Sequence, residues 1–169
     1  LEFSIGLYQN DREDDSMYLL SFLCSIYGKE SEEIIQAVRT IIGEKIINLD
    51  NYQDLVSLNR LMHNYLEIVS EDEEAERVFF QNTFQFFDDP VLCIKDKYSL
   101  TVTYNLINDH HPDIIGEHAK ELFDIYVSQY ISFTPGIRIT ILKCLDNVEA
   151  DSIFYINRFI DSTFNSLFY

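Results

Sequence analysis

Residues 89–148 read DPVLCIKDKYSLTVTYNLINDHHPDIIGEHAKELFDIYVSQYISFTPGIRITILKCLDNV, and the fold is decided by Pro90, Pro112 and Pro135 within them. The prolines stand 22 and 23 residues apart, and each opens an apolar-striped segment. Proline suits the first position of a helix, where its missing N–H has no intrahelical partner and its φ is already helical. After Pro90 come Val91, Ile94, Tyr98, Val102 and Leu106; after Pro112 come Ile115, Ala119, Leu122 and Tyr126; after Pro135 come Ile137, Ile141, Leu145 and Val148. Steps of three and four are the helical period. The stretch predicts three similar helices joined by short turns.

The same period extends upstream. A helix is predicted over 17–27 (MYLLSFLCSIY), with Gly28 placed as a left-handed stop. Ser31 followed by Glu32 and Glu33 starts the next, whose stripe is Ile34, Ile35, Val38, Ile41 and Ile42. Asp50 is positioned to cap a third, with Leu55, Leu58, Leu61, Met62, Tyr65, Leu66 and Val69 in line. Ser70-Glu71-Asp72-Glu73 has the form of a capping box ahead of Val78, Phe79, Phe80, Phe84, Phe86 and Phe87. Downstream, Asp151 is read as the cap of a last helix over 152–167. Residues 1–16 are read as a leading segment, with Leu1–Tyr8 the tail of an earlier element and the acidic residues after it a solvated loop. Residues 17–169 then form one all-α domain of about eight helices, sequential ones antiparallel because the connections are short. The start Leu1-Glu2-Phe3 and the apolar finish Phe164 to Tyr169 read as a piece of a longer chain, so further repeats of that parent are one expected partner.

Aligning the prolines brings Leu92, Ile114 and Ile137 to one position, and Leu100, Leu122 and Leu145 to another. The segment from Thr134 to Leu145 resembles the second helix of a HEAT repeat: proline, then an aliphatic residue, then arginine (Arg138), then leucine positions. Asp109 to Leu122 resembles it through Pro112, Ile114, Ala119 and Leu122, whereas Lys97 departs from the small apolar position after Pro90. Two helices at this spacing make a unit of 45 residues, within the HEAT and armadillo range. The resemblance implies an α-α superhelix with scaffolding roles. A closed helical bundle is the alternative.

Composition narrows the function. Twelve Lys and Arg stand against 29 Asp and Glu, a formal charge of −17. That balance disfavours direct nucleic-acid binding, which needs a basic residue at each phosphate, and an anionic membrane surface. It suits a basic or amphipathic protein segment. Five glycines and three prolines disfavour a turn-rich β fold. Cys24, Cys93 and Cys144 are isolated in apolar helical segments, without metal-ligand spacing, and read as buried free thiols of an intracellular protein, cytoplasmic or nuclear. No apolar run is long enough to span a membrane.

No constellation for catalysis or a cofactor is present: the sequence lacks a Gly-rich phosphate loop, a nucleophile elbow and a His-Glu-x-x-His helix. His110, His111 and His118 sit among Asp109, Asp113 and Glu117, but not at the four-residue spacing of helix zinc ligands. The expected function is therefore non-enzymatic: a protein-interaction scaffold, or alternatively a compact bundle that sequesters a partner helix in a groove. Two features carry the expected binding surface. One is the acidic run Glu71, Asp72, Glu73, Glu74 and Glu76; the other is the aromatic block Phe79, Phe80, Phe84 and Phe87, too broad for a single core stripe. The first also fits ordinary helix-dipole complementarity, the second a buried inner helix.

Overall fold

Helical periodicity along the chain becomes nine α-helices in the computed structural model, which describes residues 1–8, 12–49, 52–69, 72–87, 89, 92–129 and 132–146. These are α1 (Glu2–Tyr8), α2 (Glu13–Tyr27), α3 (Glu32–Ile47), α4 (Tyr52–Leu66), α5 (Glu73–Phe87), α6 (Ile94–His110), α7 (Pro112–Gly116), α8 (Ala119–Ser128) and α9 (Pro135–Asp146), with one 3-10 turn at Gly28–Glu30. The described residues contain no strand and are all-α. The expected helix over 152–167, its Asp151 cap, and the caps Asp50 and Ser70 lie outside the described residues.

Packing follows chain order in two rows. In one row α2 packs on α4, α4 on α6 and α6 on α9; in the other α3 packs on α5 and α5 on α7. Rungs between the rows are made by α1 on α2, α2 on α3, α3 on α4, α5 on α6, α6 on α7 and α8 on α9. The interior is filled by the predicted stripes of α3 (Ile34, Ile35, Val38, Ile41, Ile42) and α4 (Leu55, Leu58, Leu61, Met62, Tyr65, Leu66), joined by Phe79, Phe80, Tyr104, Phe123 and Tyr126. At roughly 1.5–3 kcal/mol for each large buried side chain, this burial is the main driving force for folding.

Several sequence expectations are corrected. Residues 2–8 form the helix α1, and Glu13, Asp14 and Asp15 form the first turn of α2 rather than a loop. Acids at a helix N-terminus are favoured by its dipole, so an acidic run need not be loop. The Ser16 hydroxyl clips the two helices together by donating to the Ser4 carbonyl at 2.7 Å. The helix expected from Pro90 starts at Ile94 as α6, with Cys93 as its flanking residue, and Pro90 itself lies outside the described residues. Pro112 and Pro135 do occupy helix starts. The Pro112 helix breaks after Gly116, a poor helix former, and resumes at Ala119.

The stripe expected on α6 is also displaced. Ile94 and Tyr98 are exposed, while Lys97, Leu100, Thr101, Tyr104, Ile107 and Asn108 face inward. Four helices surround α6, so polar groups must be buried with it, and they pair across helices. The Lys97 ammonium donates to Gln129 Oε1 at 3.0 Å, and the hydroxyls of Thr101 and Thr140 meet at 2.9 Å. Gly28 is right-handed (φ −58°), not a left-handed stop. A Cβ there would lie 2.5 Å from the Ile68 Cδ1, so the Ile68 side chain packs closely against this glycine. Cys24 and Cys144 are buried as expected, whereas Cys93 is exposed.

Candidate functional site

The two expected surface features both fall on α5, and its first turn shows what the acids do. Asp72 precedes the helix and caps it: its Oδ1 accepts from the Ala75 N–H at 3.4 Å and its carbonyl from the Glu76 N–H at 3.0 Å. Its carboxylate is buried yet satisfied, taking the Tyr65 hydroxyl at 2.6 Å and Arg39 Nε at 2.9 Å. Desolvation and this bond to Asp72 push the Tyr65 phenol well above its ordinary pKa.

One turn on, Glu76 is completely buried and is hydrogen-bonded to Nδ1 of His110 at 2.8 Å and of His111 at 2.6 Å. The last residue of α6 and the residue before Pro112 deliver the two imidazoles. The bond to Glu76 raises the His111 pKa above its usual value. On the outer side, Arg77 links Glu73 at 3.1 Å to Asp113 and Glu117, each at 2.7 Å, tying α5 to α7. Of the acidic run, then, Asp72 and Glu76 are interior acceptors, Glu73 and Glu74 are exposed, and Glu71 lies outside the described residues.

The aromatic block is interior too. Phe79, Phe80 and Phe87 are completely buried and Phe84 is half-buried. Phe80 meets the Tyr104 ring edge-on at 4.8 Å and stacks on Phe84 at 5.1 Å; Phe87 meets Phe133 at 6.3 Å, and the Lys97 ammonium lies 5.9 Å from the Phe87 centroid. Below them the Thr83 and Tyr104 hydroxyls pair at 2.9 Å. Because α5 is flanked by α3, α6 and α7, a helix apolar over most of its circumference is what its place requires. Among the described residues Phe79, Phe80 and Phe87 offer no free face, and Phe84 keeps a partly exposed one.

The exposed apolar surface lies elsewhere. Between α3 and α5 runs an open cleft of about 260 Å³ lined by Arg39, Ile42, Gly43, Ile46, Ile47, Asp72, Glu74, Ala75 and Val78. Ile47, at its end, is 76% exposed. On α2, Tyr18, Phe22 and Ile26 form an exposed stripe, with the Arg60 guanidinium 5.1 Å from the Tyr18 centroid. Neither feature was foreseen. In α2 the signal was present, as apolar residues at i, i+4 and i+8 beside a second stripe, but an all-round apolar helix does not declare which face is covered. The cleft joins residues of two helices and has no local signature beyond Gly43 inside a helix.

At the start of α6, Cys93 Sγ donates to Asp96 Oδ2 at 2.7 Å, and the Tyr52 hydroxyl bonds the same oxygen. Desolvation raises the Asp96 carboxyl. No group of three His, Cys, Asp or Glu among the described residues is arranged to hold a metal ion, and no helix there is long and apolar enough to cross a membrane. Comparison with protein-family models, with curated proteins and with solved structures gives no match.

Proposed function

We propose that the chain is a non-enzymatic protein-interaction module, an α-α superhelix of HEAT or armadillo type, that binds a basic or amphipathic segment of a partner protein. The observation that carries this reading is packing in chain order. In every substantial helix contact among the described residues, the partners are at most three helices apart, and α2 and α9 stand at opposite ends of one row. A stack of this kind exposes long faces and open ends, the geometry such modules use for recognition. The formal charge of −17 favours a basic partner over nucleic acid or an anionic membrane. Three free cysteines suit a reducing intracellular compartment.

Affinity capture from a cell lysate, with identification of what co-purifies, tests the reading. A basic protein released by rising salt is expected. Retention of nothing beyond an acidic control protein of equal charge would count against it.

A further inference from the structure

We infer that the cleft between α3 and α5 is a docking groove for an amphipathic helix carrying aliphatic anchors on one face and lysine or arginine beside them. The inference rests on the reading of the chain as a protein-binding module and assigns that module its site. Three observations carry it. First, the cleft is aliphatic: half-buried Ala75 and Val78 line it over the buried Ile42 and Ile46, and Ile47 projects at its end, 76% exposed.

Second, Gly43 lies within α3, where glycine disfavours the helix relative to alanine, yet a Cβ there would meet nothing within 4 Å. No packing among the described residues calls for glycine at that position. Beside Ala75 it lets another backbone approach the floor closely.

Third, the rim is acidic. Glu74 lines it and is exposed, and Glu73 next to it is shared with Arg77 at 3.1 Å, whereas Arg39 is held by Asp72 at 2.9 Å and its charge is compensated. A basic helix is thus complementary, and a second copy of this acidic chain is not. From Arg39 to Ile47 the groove follows about 12 Å of helix. Two turns of an occupant fit, with anchors at i, i+3 or i+4, and i+7.

The test uses the full chain and two fluorescein-labelled 16-residue helical peptides, one of leucine and lysine, the other with glutamate in place of every lysine. Fluorescence anisotropy is expected to show micromolar binding of the lysine peptide, at least tenfold weaker at 500 mM than at 50 mM salt, and at least tenfold weaker binding of the glutamate peptide. Gly43→Trp, whose Cβ meets nothing within 4 Å, is expected to weaken binding at least tenfold at unchanged circular dichroism, while Phe22→Ser on α2 leaves it unaltered. Equal binding by wild type and Gly43→Trp overturns the groove assignment and leaves the module reading standing. So does failure of wild type to bind the lysine peptide while a lysate partner is still captured. A dimer in sedimentation that Gly43→Trp abolishes would assign the groove to a second copy and overturn the proposal.

Discussion

Removing the Glu76 carboxylate tests the buried centre of the molecule. Glu76 is completely buried and joins the start of α5 to the α6–α7 corner through His110 at 2.8 Å and His111 at 2.6 Å. Glu76→Ala deletes two hydrogen bonds to a charged acceptor, each of about 1.5–3 kcal/mol, and leaves both imidazoles facing a hole. Breaking such a buried group costs about 3–5 kcal/mol. For a chain of this size that corresponds to a Tm lower by about 6–20 °C. Glu76→Gln keeps the shape and part of the bonding, so its cost should be about half. Urea denaturation at fixed pH measures both.

The pH dependence has a definite sign. His111 has a folded pKa raised above its unfolded value of about 6.5, first by its bond to Glu76 and further by Glu73 and Asp113. Its contribution is therefore complete below about pH 6.5 and is lost as pH rises through the folded pKa. His111→Gln should flatten that slope. A Glu76→Ala cost below about 1 kcal/mol, or a His111 contribution that grows with pH, would refute the reasoning.

Gly43→Ala should raise stability by about 1 kcal/mol and Tm by about 2–4 °C, because the added methyl meets nothing within 4 Å and helix propensity alone decides; a calorimetric scan measures it. Ellman's reagent should modify exposed Cys93 rapidly in the native protein and reach Cys24 and Cys144 only on unfolding. Burial pushes those two thiols up to about 11 and about 12, so thiolate is scarce there. Tyr104→Phe should cost about 1 kcal/mol in urea, the ordinary net worth of one hydrogen bond, since Thr83 keeps its bond to the Phe79 carbonyl.

Where one helix face is apolar and the other polar, the sequence sufficed. The stripes of α3 and α4 are buried as the period indicates, except Val69, which falls beyond the end of α4 and is half-buried, and Ser31 caps α3 by accepting from the Ile34 N–H at 3.4 Å. It misled where a helix is enclosed. On α6 the outer residues Ile94 and Tyr98 carry the apolar period, while Lys97, Thr101 and Asn108 go inward because partners on α9 and beyond α8 receive them. The acidic run on α5 mixes exposed Glu73 and Glu74 with buried Asp72 and Glu76, whose partners come from α3, α4 and the α6–α7 corner. Apart from Tyr65 and Asp72, seven positions apart, such pairings join residues more than 30 positions apart, as with Arg39 and Asp72 or Glu76 and His110, and no local pattern encodes them. For the same reason the α3–α5 cleft was illegible.

The central claim is that the helices stack in chain order and leave the ends apart. Spin labels at Ser25→Cys on α2 and Lys143→Cys on α9, both exposed positions, in a Cys93→Ser background measure it by pulsed dipolar spectroscopy. Three steps of 8–10 Å along α2, α4, α6 and α9 predict a separation of about 24–30 Å. A distance of about 15 Å or less would place α2 against α9, close the row into a bundle and contradict the account.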